Sequence, residues 1–509
     1  MLNKKRGFRI QARPIIYLVI VLLEIIFFIF SIKTFTETRF WINGFSKLIS
    51  LFTIMHIINM RGDQSYKIMW IIFILIVPVF GVLAYLVFGG GRMFPHLKKR
   101  MCAANKKHLS RFNQSQNIKD ALKYNDLMHF RQAEYLQNES MCPVYCNTES
   151  KFFGTGEEFL KELLLQLKKA EKFIYIEFYI LAEGKMWEQI YEILKQKAKN
   201  NVEVKLIFDD FGSIKRQGKN FVNNLKNDGI EVSIFNPIKP SIDIFMNNRD
   251  HRKIVVIDGC VAFTGGVNIG DEYINKLERF GHWLDCGIML KGMAVNTMTA
   301  LFCSMWEFIT GKELTPPVLN NYNSKLCNGF YIPYYDDPLN TTNQAHGIYM
   351  QIINNAQKYI YITTPYLILD NELKNALCLA AKSGIDVKII TPSRPDKWYV
   401  HPVTQYYYSE LLENGVKIYE YTPGFIHSKI FVSDDTIATV GTINMDYRSL
   451  FLHFECGVWM SSANTVNDVK DFFDNTTLVS EEILFENWKK RPVFLKIKQY
   501  LLHLFAPLM

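Results

Sequence analysis

The sequence lacks the cysteine spacings that build disulfide frameworks or zinc sites. Its nine cysteines are scattered over 509 residues, and Cys142 and Cys146 are the only two that lie close together in the chain. No second pair and no histidine cluster accompanies them, so this pair does not indicate a metal site. Free thiols in a reducing compartment are the simpler interpretation.

A strong net charge is also absent. The formal charge is +9, which is modest for a chain of 509 residues and does not indicate a nucleic-acid partner. The position of the basic residues is more informative than their number. They cluster on both sides of an apolar N-terminal region: Lys4, Lys5, Arg6, Arg9, Arg92, Lys98, Lys99, Arg100, Lys106 and Lys107.

That N-terminal region contains two long runs with almost no charge. Residues 14–32 are nearly all apolar, and residues 68–88 carry no charged side chain. Each run is about long enough to cross a bilayer core of ~30 Å as a helix. A cleaved signal peptide requires a small-residue cleavage site, which does not follow the first run. We therefore expect a membrane anchor over residues 1–92.

Between these runs, residues 40–60 are apolar with a polar stripe. Its members recur at three-to-four-residue spacing and share one helix face: Asn43, Lys47, Ser50, Thr53 and His56. Such a helix lies in the membrane interface, or it spans the membrane with its polar side covered by protein. Because basic clusters flank both ends of the region, the positive-inside rule favours an even number of crossings. Two spans are preferred and three are the alternative.

This topology predicts a multi-pass protein of the cell membrane. Residues 93–149 form a basic juxtamembrane linker in this interpretation, and the remaining chain lies on the cytoplasmic side. The C-terminal residues 487–509 contain an amphipathic pattern, with four apolar side chains on one helix face: Phe494, Ile497, Leu501 and Leu504. This segment is compatible with a helix on the membrane surface and with an ordinary helix packed on the core.

From about residue 150 the chain has a strand–helix–strand pattern that occurs twice. "AEKFIYIEFYIL" and "AQKYIYITTPYLIL" are each followed by a helical pattern and a second strand. The order of elements predicts two α/β lobes, at 150–316 and 325–486, related by a pseudo-twofold axis. A polar, proline-containing stretch at 311–329 separates them.

Each lobe contains one copy of a motif with conserved internal spacing. "DHRKIVVIDGCVAFTGGVN" and "IHSKIFVSDDTIATVGTIN" share a histidine, a lysine, an aspartate, a glycine and an asparagine: His251, Lys253, Asp258, Gly265 and Asn268, then His427, Lys429, Asp434, Gly441 and Asn444. Side chains alternate along a strand, so each histidine shares a face with its lysine. The aspartates face the other way and are expected to brace the lobe.

The lysine that stands two positions after each histidine, on the same strand face, favours an anionic ligand. An ammonium group repels a metal cation and attracts a phosphate, so we expect neither a metal nor another cofactor. The asparagines Asn268 and Asn444 follow glycine-containing turns, where backbone and amide donors can approach phosphoryl oxygens. Two matched copies indicate a shared phosphate site.

The paired motifs resemble those of the phospholipase D superfamily, and their flanking segments resemble the bacterial cardiolipin synthases. Examples are "TTPYLILDNELKNALCLAAKSGIDVKIITP", "SELLENGVKIYEY" and "GTINMDYRSLFLHFE". The resemblance implies two phospholipase D-like lobes, each with a mixed sheet flanked by helices, behind an α-helical membrane anchor. It also implies phosphatidylglycerol and membrane lipids as partners. The sequence carries no indication of oligomeric state.

In such enzymes one histidine attacks a phosphodiester and the other acts as acid and then base. The resemblance implies His251 as nucleophile and His427 as acid and base, with Lys253, Lys429, Asn268 and Asn444 on the phosphoryl oxygens. Carboxylates downstream of the motifs orient the histidines, and Asp285 and Glu455 occupy the matching positions. The resemblance therefore predicts a phosphatidyltransferase that makes cardiolipin. A phospholipase D-type hydrolase, a transferase with another alcohol acceptor and a silent membrane scaffold are alternatives.

Three positions near the predicted site depart from the family pattern. Cys286 and Gly287 stand where a Thr-His pair is common, and His453 stands where an asparagine is usual.

Overall fold

A computed structural model describes residues 37–60, 64–89, 95–238, 248–319, 322, 329–338 and 342–509. The first predicted span, 14–32, lies outside these residues. The chain divides into an N-terminal unit, formed by Met1–Gly91 with Ile238–Met246, and a larger unit formed by Arg92–Pro237 and Asn247–Met509. The two units are described separately.

Among the described residues of the N-terminal unit there are three α-helices and one π-helical turn, at Glu37–Asn59, Gln64–Ile76, Pro78–Ala84 and Tyr85–Gly89. The helix predicted at 40–60 is confirmed. The prediction of one continuous helix over 68–88 is wrong, because the helix ends before Pro78, which has no backbone N–H to donate. Across the described parts of the chain, no helix combines the length and the apolarity needed to cross a membrane.

Residues 93–149, predicted as a linker, contain three helices at Pro95–Leu109, Gln116–Asn125 and Leu127–Ser140. The first packs along the helix Val295–Thr310 of the first lobe. The third lies against the second lobe, where Trp459 donates from Nε1 to Gln132 at 3.0 Å. These helices are therefore part of the folded larger unit.

The first lobe is built on a seven-stranded mixed sheet. Its strands, in chain order, are β1 Thr148–Phe153, β2 Phe173–Phe178, β3 Glu203–Asp209, β4 Glu231–Phe235, β5 Lys253–Ile257, β6 Val261–Gly265 and β8 Gly287–Gly292. The order in space is β1-β8-β6-β5-β2-β3-β4. Strands β2, β3 and β4 are parallel, and the other neighbours are antiparallel.

The second lobe repeats this arrangement with an additional edge strand. Its strands are β9 Phe330–Asp336, β10 Tyr359–Thr363, β11 Asp386–Pro392, β12 Lys417–Tyr421, β14 Ile430–Ser433, β15 Ile437–Gly441, β16 Glu455–Ser461 and β17 Ser480–Glu482. The spatial order β17-β12-β11-β10-β14-β15-β16-β9 matches the first sheet strand for strand, apart from β17. The predicted repetition of an α/β unit is confirmed.

Helices flank both sheets, and the longer ones beside the sheets bury apolar side chains along one face. In Gly156–Lys169, for example, Phe159, Leu160, Leu163 and Leu167 are buried at helical spacing. The remaining α-helices are Lys185–Lys199, Asp210–Ser213, Phe221–Asn227, Val295–Thr310, Gln344–Asn355, Asn371–Lys382, His401–Glu413, Tyr447–Phe451, Thr465–Leu478, Phe485–Lys489 and Val493–His503, with 3-10 turns at Asp271–Ile274 and Ala506–Leu508.

The two lobes meet along strands that follow the two motifs. Strands β6 and β8 lie against β15 and β16, and the short strands β7 His282–Leu284 and β13 Gly424–Ile426 pair in parallel across the junction. Because the segments before β5 and β14 run into this junction, both motif histidines come to the boundary between the lobes.

Candidate active site

His251 and His427 lie just before strands β5 and β14 and line one cavity of about 500 Å³. Their backbones are fixed by the opposite lobe. The N–H of His251 donates to Phe454 O at 2.9 Å, and the N–H of His427 donates to Leu284 O at 2.7 Å. Each motif histidine is therefore positioned by the lobe that does not contain it.

The carboxylates also cross the junction. Nδ1 of His251 lies 2.9 and 3.0 Å from the two oxygens of Glu455, and Nδ1 of His427 lies 2.6 Å from Asp285 Oδ2. Both predicted orienting residues thus contact a motif histidine, each in the other lobe. The sequence did not predict this exchange, because it depends on how the two lobes pack together.

The hydrogen bonds fix which ring nitrogen carries the proton. A carboxylate can only accept, so Nδ1 of each imidazole donates and Nε2 keeps a free lone pair. Lys429 Nζ also lies 2.9 Å from His427 Nδ1, but that nitrogen already donates to Asp285, so the ammonium donates to His427 O. Each histidine therefore has the tautomer that a nucleophile or base requires at Nε2.

The residue that contacts the orienting carboxylate from the neighbouring turn differs between the two lobes. Thr442 donates from Oγ1 to Glu455 Oε2, whereas Gly266 stands at the equivalent turn of the first lobe. A Cβ on Gly266 would lie 2.0 Å from Asp285 Oδ1. Asp285, whose side chain is shorter than that of Glu455, therefore occupies space that any side chain at residue 266 would fill.

Burial keeps both histidines neutral in the free site. It lowers the pKa of His251 well below the usual value, and the ammonium groups of Lys253 and Lys429 lower it further. The pKa of His427 is lowered well below the usual value by burial and then by the same two lysines. Burial also raises the pKa of Asp285 to about 7, and the Lys429 ammonium acts against that rise.

The motif lysines lie behind the histidines. Lys253 and Lys429 are almost fully buried, and their ammonium groups donate to the carbonyl oxygens of His251 and His427. Burial lowers the pKa of Lys253 to about 7 and that of Lys429 to about 8. Contact between these lysines and a phosphate oxygen remains a prediction.

The two asparagines line the cavity with the histidines. Asn268 accepts the N–H of Ile180 at 3.1 Å and donates to the hydroxyl of Tyr273 at 2.9 Å. Asn444 donates weakly to Asp446 at 3.3 Å, and its Oδ1 has no hydrogen-bond partner among the residues that the structure describes. Both side-chain amides therefore line the space in which a phosphate would bind.

The motif aspartates lie at the other ends of their strands, outside the cavity. Asp258 accepts the backbone N–H groups of Glu171, Lys172 and Phe173 at 2.7–2.8 Å. Asp434 accepts the three equivalent N–H groups just before β10. Both residues have positive φ, at 52° and 56°. Their contacts tie neighbouring strands together.

Several rings lie around the two histidines, and among them only His453 was placed near the site by the sequence. Tyr179 and His453 have ring centroids 5.0 and 5.6 Å from that of His251, and Tyr273 and Trp283 lie 5.8 and 5.3 Å from His427. A sequence signal for two of them existed, since Trp283 and His453 each stand two residues before an orienting carboxylate in "HWLD" and "LHFE".

His453 also changes the metal prediction. We expected no group of ligands beside either motif histidine, but His251, His453 and Glu455 bring three potential ligand atoms within 4.8 Å of one another. His453 Nδ1 is 3.8 Å from Glu455 Oε1, and burial lowers its pKa to about 4. The nearby ammonium groups of Lys253 and Lys429 oppose a cation at this position.

Comparison with known proteins agrees with this geometry. A family model described as the phospholipase D-like domain of cardiolipin synthase matches residues 163–305 and 349–477, and each matched region contains one motif. The chain belongs to the phospholipase D-like cardiolipin synthase family. A second model, described as phospholipase D-nuclease N-terminal, matches residues 48–90.

Relatives cover almost the whole chain. It is 33% identical over 506 residues to a cardiolipin synthase of Halalkalibacterium halodurans, an alignment that spans 96% of this chain and 99% of the relative. It is 40% identical over 463 residues to an uncharacterized protein of Streptococcus mutans, spanning 90% and 99% of the two chains. Phosphatidylserine synthase of Haemophilus influenzae has the same fold, with a TM-score of 0.54, 16% identity, and coverage of 74% of this chain and 98% of that structure.

Proposed function

We propose that the protein is a cardiolipin synthase that transfers a phosphatidyl group between two molecules of phosphatidylglycerol and releases glycerol. The observation that carries this proposal is the pair of crossed histidine–carboxylate contacts on one cavity. An in-line displacement at phosphorus needs a nucleophile and an acid on opposite sides of one phosphate, and each lobe supplies one histidine. Membership of the family supports the choice of lipid.

The first step forms a covalent intermediate on the enzyme. Nε2 of His251 attacks the phosphorus of phosphatidylglycerol, the bond from phosphorus to the glycerol oxygen breaks, and His427 gives that oxygen a proton. The low pKa of His251 leaves its lone pair available. His427 must be protonated for this step, and the negative charge of a bound phosphate favours that protonation.

The second step returns the site to its starting state. The terminal hydroxyl of a second phosphatidylglycerol attacks phosphorus, the bond to His251 Nε2 breaks, and the hydroxyl proton passes to His427 Nε2. Glu455 and Asp285 hold the two rings in place and stabilise the imidazolium forms. Lys253 and Lys429 add positive charge, while Asn268 and Asn444 offer donors to the non-bridging oxygens.

We further propose that the enzyme works at the cell membrane, with its catalytic unit on the cytoplasmic side. In the N-terminal unit many large apolar side chains are exposed, including Phe45, Phe52, Leu75 and Ile76. An apolar surface of this extent is typical of proteins that contact lipid. The basic clusters at both ends of the unit support the orientation.

The C-terminal helix offers a second lipid-facing surface, on the catalytic unit itself. In Val493–His503 and the residue that follows, the four apolar side chains predicted to share a face are all exposed: Phe494, Ile497, Leu501 and Leu504. Lys498 lies over the ring of Trp398, which is 71% exposed. Its neighbour Tyr399 lines the histidine cavity. Such a surface would bring the cavity to the lipid interface.

The test is to identify the lipid product that purified protein makes from phosphatidylglycerol alone, in vesicles or detergent. Cardiolipin with one equivalent of glycerol supports the proposal. Phosphatidic acid as the main product would identify a hydrolase instead, and transfer only after addition of another alcohol would identify a different acceptor. A His251→Ala, His427→Ala double variant controls for co-purified activity.

A further inference from the structure

A second cavity adjoins the one that contains the histidines. Its volume is about 810 Å³, and four residues belong to the walls of both cavities: Phe211, Gly212, Arg216 and Arg279. The two spaces are therefore separated by a wall that contains two guanidinium groups. Nothing in the two-histidine chemistry of a single phosphate requires this second space.

One carboxylate holds the two guanidinium groups together. Glu272, whose side chain is only 4% exposed, contacts Arg279 Nη1 at 3.1 Å and also contacts Arg216 Nη1. The side chains of Arg279 and Arg216 are 41% and 26% exposed. A single carboxylate between two guanidiniums leaves a net positive charge, and each guanidinium has further N–H donors that fit a phosphate.

The other acidic side chains of this cavity are occupied by backbone donors. Asp271 accepts the N–H groups of Lys185 and Met186 at 3.0 and 2.9 Å, and Glu183 accepts the N–H of Gly218. The exposed Lys215 adds another positive charge to the lining. The lining thus holds three cationic and three acidic side chains, and its capacity to bind an anion rests on the remaining N–H donors of the two arginines.

Apolar side chains border the same cavity. Phe211, Ile214 and Leu277 are 51%, 38% and 52% exposed and all belong to its lining. A cavity with arginines on one wall and exposed apolar side chains on its border matches a lipid, which has an anionic phosphate and acyl chains. A free phosphate would make no use of the apolar border.

We propose that Arg216 and Arg279 bind the phosphate of the acceptor phosphatidylglycerol; this inference rests on the function proposed above. The product contains two phosphates joined through one glycerol. While one phosphorus is bonded to His251, the phosphate of the incoming lipid must therefore lie one glycerol length away. Arg216 and Arg279 also line the cavity that contains His251, so they lie on the side of the site from which such a lipid would approach.

Occupation of this site would position the acceptor hydroxyl for the second step. The hydroxyl oxygen forms the new bond to phosphorus, the bond from phosphorus to His251 Nε2 breaks, and the proton passes to His427 Nε2. When the acceptor is missing, water takes its place and phosphatidic acid is released. The arginines thus determine how the intermediate partitions between lipid and water, and they have no part in its formation.

The experiment compares Arg279→Gln with wild type in vesicles of phosphatidylglycerol, recording glycerol, cardiolipin and phosphatidic acid together. We expect the ratio of cardiolipin to phosphatidic acid to fall about tenfold or more, the effect of losing a charged contact worth ~1.4 kcal/mol, and glycerol release to fall less than cardiolipin formation. Arg279→Lys should recover part of the ratio, and a higher surface density of phosphatidylglycerol should raise it. Lys219→Gln, which removes an exposed charge outside both cavities, is the matched control.

An unchanged ratio of cardiolipin to phosphatidic acid in Arg279→Gln would overturn the inference. An equal loss of glycerol and cardiolipin would also overturn it, because that result indicates a role in donor binding or folding. Arg216→Gln should change the ratio in the same direction, and its thermal unfolding reports any loss of the Glu272 contact. If wild type itself forms no cardiolipin, the proposed function fails and not this site alone.

Discussion

His251 and Glu455 stand 204 positions apart in the chain, yet Nδ1 of the imidazole lies 2.9 and 3.0 Å from the two carboxylate oxygens. The reciprocal contact joins His427 to Asp285 at 2.6 Å. Neither lobe alone contains a motif histidine together with the carboxylate that contacts it. Catalytic competence therefore depends on the junction between the lobes.

Removing the charge of Glu455 should impair catalysis more than binding. In Glu455→Gln the ring of His251 loses the negatively charged acceptor that holds its tautomer and stabilises positive charge on the ring, so we expect kcat to fall roughly 10²–10⁴-fold with a much smaller change in KM. Asp285→Asn should behave in the same way through His427. Steady-state kinetics measure the effect, with the exposed Glu413→Gln as control. A proportional rise in KM at constant kcat would contradict an orienting role.

The motif aspartates should contribute to stability and not to chemistry. Asp258→Ala leaves three backbone N–H groups without their acceptor and places alanine at a positive φ. We expect the free energy of unfolding to fall by about 2 kcal/mol. The kcat of the protein that remains folded should stay near that of wild type.

Thermal unfolding in detergent and active-site titration separate the two effects. Asp471→Ala, a change at an exposed helical aspartate, should leave both quantities unchanged. A large fall in kcat without loss of stability would assign Asp258 a direct part in the reaction.

The pH dependence of kcat/KM should reflect the lysines on its alkaline side. The pKa values of Lys253 and Lys429 are lowered to about 7 and about 8, and only the protonated lysine attracts phosphate. The favourable charge is present below these values and is lost as the pH rises through them, so kcat/KM should fall between about pH 7 and 9.

On the acid side the limit should come from Asp285, whose pKa is raised to about 7, and not from His251. The pKa of His251 is lowered by burial, so its nucleophilic neutral form persists as the pH falls. Initial rates at low substrate between pH 5 and 9.5 test both limbs. A rate that climbs steadily from pH 6 to 9 would contradict this assignment of charges.

Chelators should leave the activity intact. Although His251, His453 and Glu455 lie within reach of one ion, the proposed chemistry uses the histidines themselves as nucleophile and acid. We expect unchanged rates after treatment with EDTA in detergent micelles, where divalent ions do not alter lipid packing. Loss of activity in EDTA that added zinc or magnesium restores would contradict a mechanism based on histidine alone.

The repeated motif made much of the larger unit predictable. Strand-like runs before His251 and His427 share the same order of elements, and the two sheets repeat that order in space. The pairing of His251 with Glu455 was not predictable, because it depends on packing between lobes and not on local pattern. The second cavity beside Arg216 and Arg279 was not predictable either, because it depends on how separate segments of the first lobe, 182–183, 211–217 and 271–279, pack together.

Other differences had signals in the sequence. Pro78 inside the apolar run 68–88 marks the point where the helix ends. Asp126 caps the helix Leu127–Ser140 by accepting the N–H groups of Met128 and His129, a start signal within the segment predicted as a linker. At Pro78 and at Asp126, a single residue indicates a helix boundary that the composition of the segment does not.

The assignment of the two histidines is tested most directly by trapping the covalent intermediate. His427→Ala and His251→Ala are each incubated with an activated donor that carries a labelled phosphatidyl group and a leaving group that needs no proton. The reaction is stopped with a denaturant that contains no acid, and mass spectrometry locates the label. We predict a phosphatidyl group on His251 in the His427→Ala protein and no label in the His251→Ala protein. Label on His427 in His251→Ala, with none on His251 in His427→Ala, would reverse the roles of the two histidines.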